Sequence, residues 1–173
     1  MSPYTLLAKL AVEAFIKKEP LGAFPTDLPQ ELLTKRAGVF VTIEDNGQLR
    51  GCIGTYKPTK VNIAEEIIDN AIAAATKDYR FIPINEEELP LLSFTVYVLS
   101  EPKLVQDDSE LDPEKYGVLV KDLTGFRSGL LLPGLEGINT PEQQIFIARQ
   151  KGEIDLNEEV LIYKFIAQKY SDK

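Results

Sequence analysis

The chain of 173 residues contains no histidine. Histidine is the commonest general base near neutral pH and a frequent ligand of zinc and of non-haem iron. Its absence excludes Ser-His-Asp and Cys-His catalytic arrangements within this chain, and it excludes metal sites that need an imidazole. Any acid or base must therefore be Asp, Glu, Lys, Tyr or the thiol of the single cysteine.

The sequence also lacks a second cysteine and any long apolar run. With one cysteine, no disulfide can form within the chain. No stretch approaches the roughly 18 uncharged apolar residues that span a bilayer, and the first residues do not follow the order of a signal peptide. The sequence therefore predicts a cytoplasmic protein without a membrane segment.

Basic residues are fewer than acidic ones, 19 against 27, which gives a net charge of −8. An acidic protein repels phosphate backbones, so nucleic-acid binding is unlikely. A hydrophobic content of 44% in a chain of this length is typical of one compact domain or two small subdomains. The sequence predicts no cofactor and no metal site.

The hexapeptide Leu49–Gly54, with the sequence Leu-Arg-Gly-Cys-Ile-Gly, contains the only cysteine. Side chains alternate across the faces of a strand, so Arg50 and Cys52 are expected on one face. A fixed positive charge near a thiol favours the thiolate. Gly51 and Gly54 leave space for a ligand or for another stretch of backbone.

A structural interpretation of the same residues stays open beside the functional one. Unpaired cysteine is among the most buried residue types, and glycines within strands often mark a bulge or tight packing. Cys52 is therefore either a candidate nucleophile or a small core residue.

Periodicity and turn signals predict the order of the elements. They predict helix 2–18 with an apolar face, an irregular connection 19–33, hairpin 38–54, helix 60–77, strand 91–100, an exposed acidic connector 101–114, a second hairpin from 117, a helix from 141 and a closing strand 160–168. The expected apolar face of the first helix consists of Leu6, Leu7, Leu10, Ala11, Ala14 and Phe15. This order predicts an α+β fold.

The second hairpin repeats the first. The segment 117–120 is similar to the segment 38–41, and with a gap of one residue Gly129 matches Gly51 and Leu130 matches Cys52. We infer a weak internal duplication with two related sheet-and-helix subdomains, approximately 34–100 and 115–170, packed around a groove. Because leucine replaces cysteine in the second copy, hairpin geometry does not by itself require sulfur at position 52.

Three blocks in order resemble the AMMECR domain family: Leu49–Gly54, then Asp78–Phe81 followed by Pro83, then Gly129–Pro133. The bacterial and archaeal branch called AmmeMemoRadiSam system protein A is the more similar one, because 62–75 and 135–140 also follow its pattern. The resemblance covers nearly the whole chain as a single domain. Tyr79 stands where the family commonly has proline, and Gly152-Glu153 stands where Ala-Gly is common.

The resemblance implies a fold of two subdomains without an established reaction. It also implies two partners, a Memo-like protein of the extradiol dioxygenase fold and a radical S-adenosylmethionine protein. Either could be encoded beside the domain or fused to it.

The candidate site has one catalytic candidate, Cys52, and a set of binding candidates: Arg50, Gly51, Gly54, Arg80, Asn70 and Arg127. Lys77 and Glu136 could add polar lining, although such residues are more often solvated. Arg80 could bind an anion or could simply end the long helix. Arg127 could equally be an ordinary exposed arginine of a hairpin.

Two classes of function follow from these residues. The chain is either a noncatalytic adaptor or ligand-binding module, or an enzyme in which Cys52 is the nucleophile or carrier. In the enzyme, Arg50 and Arg80 bind an anionic small molecule or peptide.

Overall fold

The computed structural model describes residues 1–22, 25 and 28–172. The helices are α1 (Pro3–Lys17), α2 (Gln30–Thr34), α3 (Ile63–Thr76) and α4 (Pro141–Lys151). The strands are β1 (Val39–Asp45), β2 (Gln48–Thr55), β3 (Leu92–Leu99), β4 (Lys103–Leu104), β5 (Gly117–Asp122), β6 (Ser128–Leu131), β7 (Val160–Phe165) and β8 (Ala167–Ser171). None of the helices in the described ranges is both long and apolar enough to cross a membrane.

Contacts divide the chain into two units. Unit 1 comprises Met1–Leu99 with Gln168–Lys173, and unit 2 comprises Ser100–Ala167. Each unit has its own four-stranded sheet and its own helices, so the expected α+β fold is confirmed. The units differ from the sequence-based ranges 34–100 and 115–170, chiefly because the last strand of the chain joins the first sheet.

Unit 1 has the strand order β2-β1-β3-β8, and α1 and α3 pack on one face of this sheet. Along β1, Val39, Val41 and Ile43 are fully buried, while the alternate residues Thr42 and Glu44 are partly exposed. The alternation follows from the pleat of a strand with one face on the helices. It leaves Thr42 and Glu44 on the face opposite the helices.

Unit 2 repeats this plan with the order β6-β5-β7-β4 and with α4 against β5 and β6. Its core is a separate cluster of small and aliphatic side chains: Leu111, Val118, Val120, Leu131, Ala148 and Ile154. The helix begins as the sequence predicts, with Thr140 and Gln143 in a capping box and Pro141 as the first residue.

The strand registers support the inferred duplication. In unit 1, Ile43 lies opposite Gly51. In unit 2, Val120 lies opposite Gly129. A side chain at either glycine would overlap a backbone carbonyl of the helix behind it, Ala74 for Gly51 and Ala148 for Gly129. Both hairpins therefore need a residue without a Cβ at the point where they touch their helix.

The buried face of α1 differs from the expected one. Ser2 caps the helix as predicted, but Leu10 and Phe15 are exposed. The buried hydrophobic residues are spaced at i, i+3, i+4, i+7 and i+8: Tyr4, Leu7, Ala8, Ala11 and Val12. The ring of Tyr4 stacks on Tyr170 of β8, with 3.6 Å between the ring centroids, and this contact fixes the rotation of the helix. The sequence of the helix alone does not indicate a contact with a residue as distant as Tyr170.

Two predicted segments need correction. The predicted closing strand 160–168 is two strands, because β7 ends at Phe165 and pairs with β5, while β8 joins the sheet of unit 1. The predicted irregular connection 19–33 falls partly on residues 23, 24, 26 and 27, which lie outside the described residues. Its end is regular, since Gln30–Thr34 forms α2.

The glycine contacts predict a clear stability effect. Gly51→Ala should lower the free energy of unfolding by about 1–3 kcal/mol, because the methyl group forces the hairpin away from the carbonyl of Ala74. Urea unfolding followed by circular dichroism measures this change. Gly22→Ala is the matched control, since a methyl group there meets open space. Equal stability of the two variants would contradict the proposed contact.

Candidate functional site

The hexapeptide lies on β2, at the edge of the sheet of unit 1. Its pairing with β1 is interrupted by a bulge, because Ile43 faces Gly51 while Glu44 faces Leu49. Arg50 is the extra residue of this bulge. Cys52 lies opposite Thr42, on the sheet face away from the helices. The strict alternation expected for Arg50 and Cys52 therefore breaks at the arginine.

The thiol of Cys52 is partly buried and hydrogen-bonded. Its sulfur lies 3.3 Å from the hydroxyl oxygen of Thr42. The backbone N–H of Cys52 points away from β1 and donates to Oδ2 of Asp78 at 2.9 Å. The carboxylate of Asp78 thus accepts a hydrogen bond from a backbone N–H that would otherwise be unpaired at the edge of the sheet.

Asp78 is held in turn by Arg80. The guanidinium donates to both carboxylate oxygens, from Nε at 2.9 Å and from Nη2 at 2.7 Å. This bidentate pair lowers the pKa of the buried Asp78 to about 2, with help from the N–H of Cys52. The pKa of Arg80 is raised, first by its hydrogen bonds to Asp78 and also by the charge of Cys52. Arg80 therefore belongs to the surroundings of the thiol.

Arg50 is committed to a different carboxylate. Its Nε donates to Glu88 at 2.7 Å, its Nη2 donates to the other oxygen at 3.1 Å, and its Nη1 donates to the carbonyl of Ile82 at 2.9 Å. Its side chain is only 13% exposed, and the guanidinium lies 5.9 Å from the ring centre of Phe81. The pair with Arg50 lowers the pKa of Glu88. Arg50 therefore fixes the loop that carries Asp78 and Arg80.

Three other predicted binding residues make contacts inside unit 1. Gly51 adjoins the carbonyl of Ala74, and Gly54 lies under the ring of Phe40, so the spaces that these glycines leave are filled by the protein. The amide of Asn70 is buried and donates to the carbonyl of Val39 at 3.1 Å. A ligand-binding role for Gly51, Gly54 and Asn70 stays a prediction.

Arg127 lies in unit 2 and repeats the contacts of Arg50. It donates to Asp122 and Glu158, and to the carbonyl of Glu153 at 2.9 Å. Its pKa is raised, first by the hydrogen bonds to Glu158. In both units an arginine at the start of the second hairpin strand thus joins a glutamate that precedes the next strand. Lys77 and Glu136 are exposed, and their role as polar lining stays a prediction.

A row of polar side chains crosses the sheet of unit 1 from Cys52. Thr42 pairs with Cys52 on one side and with Thr95 on the other. The hydroxyl of Thr95 donates to that of Ser171 on β8 at 3.3 Å. We call this set, Cys52, Thr42, Thr95 and Ser171, the hydroxyl row. Sequence analysis missed it, because only its pairing register brings these residues together.

Beside the hydroxyl row lies a cavity of about 520 Å³. Its lining residues come from three strands: Thr42, Glu44, Thr95, Tyr97, Lys169 and Ser171. The pKa of Tyr97 is raised by burial and then by the charges of Cys52 and Glu44. The ammonium group of Lys169 lies 6.0 Å from the centre of the Tyr97 ring. The alternation of apolar and polar residues in 91–100 already places Tyr97 on the polar face of a strand. No pattern in the sequence around Lys169 indicates that it lies beside Tyr97.

The Asp78–Arg80 pair predicts a pH-dependent stability. Because the pKa of Asp78 falls from an ordinary value near 3.9 to about 2, its charge stabilises the folded state by about 2 kcal/mol at pH 7. This stabilisation is complete above about pH 4 and is lost as the pH falls towards 2. Asp78→Asn should therefore be about 2 kcal/mol less stable than the natural protein at pH 7 and equally stable near pH 2. Urea unfolding at a series of pH values measures the difference.

The matched control is Asp69→Asn, since Asp69 makes an exposed ion pair with Lys60. This variant should differ little from the natural protein at any pH. A stability difference for Asp78→Asn that stays constant from pH 7 to pH 2 would contradict the role given to the ionised carboxylate.

Comparison with known proteins places this site in a family. A sequence model of the AMMECR1 family matches residues 6–170. A protein of Thermotoga maritima is 47% identical over 170 residues, which are 97% of each chain. Protein CA_C1420 of Clostridium acetobutylicum is 43% identical over 171 residues, but these are only 36% of that protein.

A solved structure agrees with the fold. The crystal structure of the uncharacterised protein PH0010 from Pyrococcus horikoshii matches with a TM-score of 0.87 and 31% identity. The match covers 98% of this chain and 90% of that one. The resemblance carried by the hexapeptide and the two later blocks is therefore confirmed. The chain belongs to the AMMECR1 family.

Proposed function

We propose that this protein is a noncatalytic ligand-binding and adaptor component that acts with a Memo-like protein and a radical S-adenosylmethionine protein. Its working surface consists of Leu49–Gly54, the adjoining loop 78–83 and the sheet face that carries Cys52. It works in the cytoplasm.

The observation that supports this proposal most directly is that Arg50 and Arg80 are both already paired with carboxylates. An enzyme of the expected kind needs Arg50 to stabilise a thiolate and Arg80 to hold an anionic substrate. Instead, Arg50 binds Glu88 and Arg80 binds Asp78, each with bidentate geometry. A carboxylate that neutralises a guanidinium reduces its attraction for another anion.

The surroundings of the thiol point the same way. The sulfur of Cys52 has the hydroxyl of Thr42 as its hydrogen-bond partner, and a threonine hydroxyl is not a base at neutral pH. Nucleophilic catalysis by cysteine requires an adjacent base or a strongly stabilised thiolate. This arrangement therefore favours binding over catalysis.

An adaptor role also agrees with the relative in Clostridium acetobutylicum. The match occupies 36% of that protein, so a similar domain occurs there with further polypeptide in the same chain. A domain that is joined to other segments in one relative is a reasonable candidate for noncovalent association with partners in another. The loop beside the hexapeptide offers exposed side chains for such contacts, since Tyr79 is 95% exposed and Ile82 is 77% exposed.

One observation favours the alternative, an enzyme with Cys52 as nucleophile or carrier. Arg80 keeps 44% of its side chain exposed, and the charge of Cys52 raises its pKa. A partly exposed guanidinium beside the cysteine is suited to hold an anionic substrate near the thiol.

Association with the Memo-like protein of the same genome tests the adaptor proposal. Co-purification should occur at micromolar concentrations and should persist in Cys52→Ser. Tyr79→Ala should weaken it by about fivefold or more, because exposed aromatic residues often dominate interfaces. Phe126→Ala is the matched control, since Phe126 is 93% exposed but lies in unit 2. No detectable association, or loss in the control variant alone, would contradict the proposal.

Alkylation of the single cysteine tests the alternative. Under the adaptor proposal, iodoacetamide should modify native Cys52 no faster at pH 7 than it modifies the chain unfolded in urea, because the thiol is partly buried and hydrogen-bonded. Mass spectrometry follows the reaction. Faster modification of the native protein, slowed in Arg80→Gln, would instead support the enzyme.

A further inference from the structure

We infer that the cavity beside the hydroxyl row binds a small organic anion, a carboxylate or a phosphate monoester. Its charged group lies at Lys169 and Ser171, and its polar remainder lies along Thr95 and Thr42 towards Cys52. The inference rests on the proposed function, since it names the ligand class for the sheet face that we propose as the working surface.

The second unit provides an internal comparison for this face. By strand register, Thr42 and Cys52 of unit 1 correspond to Leu119 and Leu130 of unit 2. The same sheet-and-helix plan is therefore built with apolar side chains at both positions. Leu119 is fully buried, whereas Thr42 and Cys52 are partly exposed, so in unit 1 this face is polar and open to a ligand.

Lys169 supplies the positive charge. It is exposed on β8, and its contact within the described residues is with the ring of Tyr97, without an ion pair to a carboxylate there. Arg50, Arg80 and Arg127 all bind carboxylates. Lys169 is the cationic side chain that lines the cavity, which Glu44 also lines, whereas the arginines first expected to bind anions each bind a carboxylate. An ammonium group beside hydroxyl donors is suited to a carboxylate or a phosphate.

The cavity limits the size and the charge of its occupant. The cavity is open to solvent, and its volume of about 520 Å³ lies within the range of small-molecule sites. Glu44 also lines the cavity, so a second negative group on the ligand would be repelled. The protein as a whole carries a net charge of −8. These features favour a ligand with one anionic group and disfavour polyanions such as nucleic acids.

The tyrosine and phenylalanine of the same face can accommodate the apolar part of such a ligand. Phe40 and Tyr97 are direct partners across β1 and β3, and both are partly exposed. The ring of Phe40 covers Gly54, which keeps it flat against the sheet. An organic anion therefore has an aromatic surface on one side and the hydroxyl row on the other.

Titration with two probes, inorganic phosphate and acetate, followed by the amide resonances of the full chain, tests the inference. At least one probe should shift resonances of β1, β3 and β8 with a dissociation constant in the millimolar range, about 4 kcal/mol of binding. The probe that binds identifies the anion as phosphate or carboxylate. Absence of shifts in these strands with both probes up to roughly 50 mM would overturn the inference.

Charge removal at the cavity gives the decisive comparison. Lys169→Gln should weaken binding by about fivefold or more, and Ser171→Ala should weaken it to a smaller extent. Lys57→Gln is the matched control, because Lys57 is exposed and its ammonium group lies 5.9 Å from the ring centre of Tyr56. Equal affinity of Lys169→Gln and Lys57→Gln would overturn the inference. The amide spectrum of each variant reports whether it is folded.

The anion-site inference and the adaptor proposal can be contradicted independently of each other. If neither probe binds but the Memo-like protein associates, the anion site is wrong and the adaptor proposal stands. If a probe binds as described but no association is detected, the anion site is supported and the adaptor proposal is wrong.

Discussion

The close contact between a hairpin and the helix behind it governs both units. At Gly51 the strand touches the carbonyl of Ala74, and at Gly129 it touches that of Ala148. Because the two backbones are in contact, the distance between each hairpin and its helix is fixed, and so is the position of the opposite face of the hairpin. In unit 1 that opposite face carries Cys52 and the hydroxyl row. Glycine at position 51 therefore positions the thiol without contacting it.

A second shared constraint is the arginine that ties each hairpin to the loop after its helix. Arg50 joins Glu88 and Ile82 in unit 1, and Arg127 joins Glu158 and Glu153 in unit 2. In unit 1 this connection also brings Asp78 to the backbone of Cys52. The arginine of the hexapeptide is thus a structural link whose consequence is an ordered edge strand. Arg127 makes the same kind of contact in unit 2, so this arginine contact belongs to the sheet-and-helix arrangement that both units share.

Local patterns in the sequence predict most elements, because hairpin turns, helix caps and apolar periodicity act over a few residues. Asn46 and Gly47 have positive φ, as their turn requires, and Thr140 caps α4 as predicted. Long-range pairing is not visible in such patterns. The bulge at Arg50, the separate strand β8 and the approach of Lys169 to Tyr97 all depend on it. The candidate site was therefore predicted at Cys52 but not along the rest of the row.

The fourth strand of the sheet of unit 1 comes from a distant part of the chain. After β3 the chain leaves unit 1 to build β4 and the rest of unit 2, and it returns only with β8. During synthesis on the ribosome, the sheet of unit 1 can be completed only after β8 is made, whereas all strands of unit 2 are made before β8. Unit 2 can therefore complete its sheet before unit 1, and the surface around Cys52 is complete only once β8 has joined its sheet.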